Sequence, residues 1–316
     1  MESGRVTELP VGLRARVRVP ATCANLGPGY DALGLALAWY DDVGIEVVET
    51  GLAFDIGGEG ADTAPRDESH LIIRTLLSTL DELGTSAPGL RLSSTNRIPH
   101  GRGLGSSAAA ICAGVLLARA LAARVGLLKP DSWTLATAAG IEGHPDNVAP
   151  CLLGGLTVAW TSDDPGGGPI AHGVSLTPVT ELRPVVFVPP FASSTHEARR
   201  LLPRHVSHAD AAFNAGRAAL LVAGLTACPD VLVAATEDRL HQPYRAPAMP
   251  HSAELMARLR AAELPAVVSG AGPAVLVLAA SAAAADLAAT MAPPGWTVAR
   301  IAVDPAGATV FDGDDG

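Results

Sequence analysis

The chain is short of positive charge: 22 Lys and Arg residues stand against 32 Asp and Glu, a formal net charge of −10 in 316 residues. That balance argues against a nucleic-acid or anionic-membrane partner, either of which calls for a basic face. Cysteine is scarce too. Cys23, Cys112, Cys151 and Cys228 lie far apart and form no CxxC pair. Reduced, mostly buried thiols are therefore expected, and neither a disulfide framework nor a zinc cluster. The opening MESGRVTELPVGLRARVRV lacks the continuous apolar core of a secretory signal. Long Ala/Leu stretches are broken by Arg, Gly and Asp, so no membrane span is expected, and a cytoplasmic location is. Apolar residues are what the chain has in quantity. At 48% hydrophobic and 17% charged, it can build one large core or two compact domains.

Local patterns mix strands and helices. LRARVRV (13–19) alternates apolar residues with arginine, the period of a half-buried strand, and Pro20 is expected to stop it. NLGPGYD (25–31) reads as a turn, and residues 32–49 as a further pair of strands. A helix is predicted over 70–84, ending at Gly84, then a short strand over 89–95. Residues 106–125 carry only Arg119 and Arg124 as charges, which marks a buried helix closed by Gly126. A second helix over 130–143 starts on proline, followed by a strand over 154–160. TSDDPGGGP (161–169) is the most linker-like segment. Beyond it come a strand over 183–190, helices over 208–225, 229–240 and 252–263, two apolar strands around a GAGP turn, and a closing helix and strand. Without regular βα alternation, an α+β architecture in two domains is expected, with a boundary near 161–184.

Five segments carry candidate chemistry. GRGLGSSA (101–108) brings glycine amides, two hydroxyls and a helix N-terminus together, as a phosphate site does. No lysine follows the glycines, which excludes a Walker A loop, and the preceding IPH is a poor Rossmann strand. A plain turn uses the same residues. In EGHPDN (142–147), Glu142 ends a helix, where a carboxylate is unfavourable unless a cation attends it. A divalent ion would serve, as would a simple proline turn with Asp146 or Asn147 as a cap. Asn25 and Asp31 flank the NLGPGYD turn and are ordinary turn residues. Arg199 and Arg245 could each grip a carboxylate with a planar fork, or lie solvated at the surface.

The joint order of the segments is more specific. VPATCANLGPGYDALGLAL, IPHGRGLGSSAA, EGHPDNVAPCLLGGL, STHEARRLLP, HQPYRAPAMP and VVSGAGPAVLVL span about Val19 to Leu278. In this order they resemble the GHMP family of small-molecule kinases and, within it, the homoserine kinases. The resemblance implies a ribosomal protein S5 domain 2-like domain (1–170), a ferredoxin-like domain (171–316) and an active site in the cleft between them. ATP would lie on Ile98, Pro99, His100, Gly101, Arg102, Gly103, Leu104, Gly105, Ser106 and Ser107, with Mg²⁺ held by Ser107 and Glu142. Arg199 and Arg245 match carboxylate-binding positions for L-homoserine. Asn25, Asp31, His144 and Asn147 match the rest of its pocket, with Asp31 the ammonium partner. Asn25, Asp31 and Asn147 are the candidate catalytic residues, and the proton acceptor stays open between Asp31 and His144. The implied activity is transfer of the γ-phosphoryl group of ATP to the L-homoserine hydroxyl, in threonine synthesis, by a homodimer. Two positions depart from the pattern: Tyr30 stands where Phe is usual, and His70 where an asparagine near the adenine is common.

Overall fold

A computed structural model describes residues 7–163, 168–192 and 195–312. The arginine–apolar alternation of 13–19 does form a strand, β2 (Arg14–Ala24), with its arginines exposed and Ala15, Val17 and Val19 buried. Pro20 does not end it. Proline has no N–H to give the ladder, so the register with the next strand shifts between Pro20 and Ala21 and the strand continues beyond the bulge. That partner, β3 (Leu33–Val48), is one 16-residue strand instead of the expected pair. A short pair, β1 (Thr7–Glu8) with β5 (Thr85–Ser86), stands apart.

Strands β4 (Gly51–Gly58) and β6 (Gly89–Asn96) continue the sheet beyond β3. β7 (Leu156–Asp163) pairs with the start of β3, and β8 (Pro169–Leu176) pairs with β7. The linker-like segment is therefore the connection of a hairpin, with residues 164–167 outside the described ones. Neither β4 nor β8 is expected from periodicity, because glycine and polar residues dilute both. Helices α1 (Leu71–Glu82), α2 (Ser106–Ala123), α3 (Asp131–Glu142) and α4 (Val148–Leu153) pack on this sheet and on each other. α2 is long and apolar enough to cross a membrane by composition, yet two-thirds of it is buried inside the protein. Gly114 lets it approach α1, because a Cβ there would press on Thr75 and the Ile72 carbonyl.

The second sheet has the order β10 (Ala266–Val268), β11 (Val275–Ala279), β9 (Arg183–Val188), β12 (Thr297–Arg300), all antiparallel. Its central strands read as unbroken apolar runs because both faces are covered. Val185, Phe187, Val275 and Val277 share a core with Leu255 and Leu259 of α9 (Pro250–Ala261) and Ala285 of α10 (Ala282–Thr290). The alternate residues Val186, Val188, Leu276 and Leu278 join the core of the first sheet. The two sheets are thus bound by continuous apolar packing.

In the chain, α5 (Thr195–Arg200), α6 (His208–Thr226), α7 (Leu232–Ala235) and α8 (Gln242–Arg245) come between β9 and α9. The helix expected over 229–240 breaks after α7. There the Asp238 carboxylate accepts the N–H groups of Leu240, His241 and Gln242, which gives the backbone an alternative to continuing the helix. After β12 the chain returns to the first sheet, where β13 (Thr309–Asp312) pairs with β2. All four cysteines are free; Cys23, Cys112 and Cys151 are buried, but Cys228 is exposed.

Candidate active site

The loop ahead of α2 is fixed from both domains. Asp41 accepts the backbone N–H groups of Arg97 at 2.5 Å and Ile98 at 2.9 Å. Ile98 and Leu104 are fully buried, each contributing roughly 2 kcal/mol, enough to offset the ordering cost of about one or two loop residues. Gly103, at φ +77°, lies where a Cβ would collide with the carbonyls of Ser269 and Gly272. Ser269 Oγ donates to the Gly103 carbonyl at 2.6 Å. The Arg102 guanidinium donates to the carbonyls of Pro189, Pro190 and His100. Its charge therefore clasps the loop to the segment just beyond β9, and its carbonyl accepts the Ala274 N–H at 3.0 Å. Gly105 starts α2 in the left-handed region, φ 72°, without a side-chain cap, so the first-turn N–H groups of this 18-residue helix are left for a ligand.

Those groups face a cavity of about 170 Å³ lined by Asn25, Gly101, Gly103, Gly105, Ser106, Ser107, Glu142, His144, Asp146, Asn147, Arg199, Arg245 and the turn Gly270–Gly272. Residues up to 245 positions apart in sequence meet here, through Asn25 donating to the Gly270 carbonyl. Ser107 Oγ donates to Glu142 Oε2 at 3.0 Å. Burial raises the Glu142 carboxyl above its ordinary range, against the pull of His144 and Ser107. His144 Nδ1 sits 2.6 Å from Asp146 Oδ1, and that hydrogen bond holds the imidazole above its usual value. Asp146 itself is 2% exposed.

The other wall is built from the Asn25 turn, α5 and α8. Asn25 uses both ends of its amide internally: Nδ2 donates to the Gly270 carbonyl and Oδ1 accepts the Asp31 N–H, each at 2.9 Å. Its work is to hold the turn, in which Asn25, Leu26 and Asp31 all carry positive φ. Asp31 pairs with Arg199 at 3.0 Å, although burial raises its carboxyl. Arg245 is 2% exposed, lies over the Tyr30 ring, and donates to the Gly270 carbonyl at 3.2 Å. Its Nε has no partner, none of the described carboxylates forms an ion pair with it, and burial lowers its pKa. His241 contacts Arg245 through Nδ1 and the Gly27 carbonyl through Nε2 at 2.7 Å. Neutral imidazole, which burial favours, suits both roles, accepting at Nδ1 and donating at Nε2.

A second cavity, about 300 Å³, opens on the far side of Ser106 and Ser107, which line both. Its walls are mostly apolar, with Val19, Val43, Ala64, Pro65 and Leu71, and Asn96, His100 and His70 add polar groups. His70 is 7% exposed with its Nδ1 unpartnered, its ring tilted against Phe54. Burial lowers its pKa, which keeps it neutral.

The residues the sequence singles out are placed in different ways: Pro99, Arg102 and Asp31 line neither cavity, and His100 lines only the second. Ile98, Leu104 and Asn25 are scaffold; Gly105, Ser106, Ser107, Glu142, His144, Asn147 and Arg245 line the cavity. In STHEARRLLP, Ser194 lies outside the described residues. Sequence reasoning missed Asp146 as the partner of His144, His241 as the support of Arg245, and Thr22, whose hydroxyl donates to Asn147 Oδ1 at 2.8 Å. The spacing of His241 and Arg245, one helical turn apart, was a usable signal; the Thr22 contact, across 125 positions, left none.

Comparison with known proteins accords with this geometry. Residues 70–155 match the model of the GHMP kinases N terminal domain, and residues 212–293 that of the GHMP kinases C terminal. The homoserine kinase of Streptomyces avermitilis is 56% identical over 296 residues, 94% of this chain and 95% of that protein. That of Clavibacter michiganensis subsp. michiganensis is 48% identical, covering 98% and 97%. Among solved structures, homoserine kinase from Cytophaga hutchinsonii superposes with a TM-score of 0.80 at 27% identity, over 98% of this chain and 99% of that one. The chain belongs to the GHMP kinases and, within them, to the homoserine kinase family.

Proposed function

We propose that the enzyme transfers the γ-phosphoryl group of ATP to the side-chain hydroxyl of L-homoserine, forming O-phospho-L-homoserine for threonine synthesis. The observation that carries this reading is Arg245. A buried guanidinium without a carboxylate partner is costly in the free protein, and this one faces the same cavity as an uncapped helix N-terminus and Glu142. An acceptor carboxylate resolves that cost. L-Homoserine is a zwitterion, and Asp31 with Arg199 offers the complementary pair: the amino acid would insert between them, ammonium toward Asp31 and carboxylate toward Arg199 and Arg245.

The base would occupy the apolar second cavity, with the triphosphate passing Ser106 and Ser107 along the loop from Ile98. His70 has an orphaned nitrogen beside that cavity and takes the place of the usual asparagine. Ser107 and Glu142 are a hydroxyl and a carboxylate in contact at 3.0 Å, a hard-oxygen set that fits Mg²⁺. They would hold the ion, which supplies charge neutralisation on the phosphates. In the transfer, the acceptor oxygen would bond to the γ-phosphorus as the bond to the ADP oxygen breaks, and the hydroxyl proton would pass to Asp31 or His144, the two candidate acceptors. Alignment and charge stabilisation dominate such reactions, so no strong base is required.

A division at residue 170 would cut the β7–β8 hairpin, so we place the functional boundary in the connector 177–182, with 7–176 and β13 serving the nucleotide and 183–300 completing the acceptor wall. The acidic balance supports an enzyme without nucleic-acid or anionic-membrane partners, the four free cysteines support a cytoplasmic location, and the family resemblance supports a homodimer.

ADP release measured with ATP, Mg²⁺ and a panel of L-homoserine, mevalonate and galactose tests the acceptor; turnover confined to L-homoserine is expected, and equal rates on all three overturn it. Asp41→Ala removes the acceptor for two loop N–H groups. It should raise the KM for ATP up to about ten-fold with the L-homoserine KM unchanged; an unaltered ATP KM would show that the loop orders itself without that carboxylate.

A further inference from the structure

Thr22 lies near the end of β2, three residues before Asn25, and is fully buried, lining neither cavity. Its hydroxyl donates to Asn147 Oδ1 at 2.8 Å. Its backbone N–H donates to the Leu104 carbonyl of the phosphate loop at 3.1 Å. A Cβ at Gly105 would strike Thr22 Oγ1 and would stand 3.1 Å from Asn147 Oδ1, so loop, threonine and asparagine form one packed unit. A hydroxyl has a single proton to donate, and here it goes to the amide oxygen. The oxygen of Asn147 is thereby turned toward β2, and the amide N–H₂ is the arm left for the cavity that Asn147 lines.

We infer that Thr22 is a positioning residue that makes Asn147 a hydrogen-bond donor to a phosphoryl oxygen of the bound nucleotide at the point of transfer. The inference rests on the proposed kinase reading of the cleft. Its physical content is a choice between two amide orientations. With its oxygen facing the cavity, Asn147 would point a partial negative charge at a phosphoryl group that is itself anionic. With its nitrogen facing the cavity, it offers two N–H donors placed before the reaction begins, and such donors stabilise charge in the transition state. Asn147 takes the second orientation in the structure, with the Thr22 hydroxyl donating to its oxygen and the NH₂ group left for the cavity. Gly105 completes the device, since any side chain there would push the threonine off the amide.

Thr22→Val keeps the shape beneath Gly105 and removes only the donor. It should lower kcat about ten-fold, the loss of one hydrogen bond of roughly 1.4 kcal/mol, with the KM for L-homoserine within about two-fold and the melting temperature retained. Thr22→Ser restores the hydroxyl and should return kcat to within about two-fold of wild type. Asn147→Asp, with acceptors on both arms, should be more damaging than Asn147→Ala. A second readout does not depend on the acceptor. In protein labelled with ¹⁵N-asparagine, the Asn147 side-chain NH₂ signal should move when AMP-PNP and Mg²⁺ are added to wild type and Thr22→Ser, but not to Thr22→Val. An equal response in Thr22→Val, an unmoved signal in wild type, or a Thr22→Ser as slow as Thr22→Val would each overturn the inference. A wild-type enzyme inactive on L-homoserine would instead refute the assigned acceptor, and the amide signal would still decide the role of Thr22.

Discussion

Arg245→Met raises the KM for L-homoserine about 100-fold and leaves the KM for ATP within about two-fold: this is the expected result of removing the buried cation. A charge-assisted contact with a desolvated carboxylate contributes roughly 2–3 kcal/mol, and each 1.4 kcal/mol is ten-fold. The nucleotide side is spared because Arg245 approaches the cavity from α8 and the Tyr30 ring, across from the phosphate loop. Stability should not follow activity. In the free protein the guanidinium is buried, and none of the described carboxylates forms an ion pair with it. A methionine of similar length removes a desolvated charge and keeps most of the packing. The Gly270 carbonyl also keeps a donor, because Asn25 Nδ2 reaches it at 2.9 Å. The melting temperature of Arg245→Met should therefore match or exceed that of wild type. Arg245→Lys should fall between the two in KM, since an ammonium lacks the planar fork. If Arg245→Met binds L-homoserine as tightly as wild type, the carboxylate assignment fails.

Glu142→Gln should lower kcat by about 100-fold or more, with smaller changes in either KM, because charge neutralisation on transferring phosphates supplies several kcal/mol. Glutamine keeps the volume and a contact for Ser107 Oγ, so the loss is of charge alone. Here too stability should hold. Glu142 ends α3, where the helix dipole disfavours a carboxylate, and burial and the neighbouring Asp146 raise its pKa. A thermal melt of Glu142→Gln without nucleotide should lie at or above that of wild type, while the wild type alone gains strongly from ATP with Mg²⁺. Full turnover in Glu142→Gln would remove the residue from the site. Two positions whose replacement strengthens the fold and disables the enzyme mark a cleft built for its charged ligands.

How much of this was legible beforehand depended on the range of each interaction. Alternation fixed β2, and the apolar run of 106–123 announced a buried helix, because both signals are local. Pro20 misled, since a missing N–H is tolerated at a bulge, and a bulge depends on the partner strand. The helix expected over 229–240 failed on one competitor, the Asp238 carboxylate, which captures three N–H groups just beyond α7. Glu142, Asn147 and Arg245 could be picked out as residue types with chemistry to offer. Whether Arg102 would reach phosphate could not be read so, because its answer lies 88 residues away in the Pro190 carbonyl. His144 was visible, but the carboxylate that holds its ring was hidden among ordinary turn residues.

The return of β13 to the first sheet has a mechanical consequence. The second sheet begins and ends inside the span of the first, entering through 177–182 and leaving through 301–308. It is a body mounted at two points, and the second mounting is itself pinned: Asp304 N–H donates to the Ala36 carbonyl and Ala308 N–H to the Cys151 carbonyl. Two covalent attachments and the shared apolar core together hold Arg199 and Arg245 opposite the phosphate loop, so the walls of the cleft keep their spacing by the path of the chain as well as by packing.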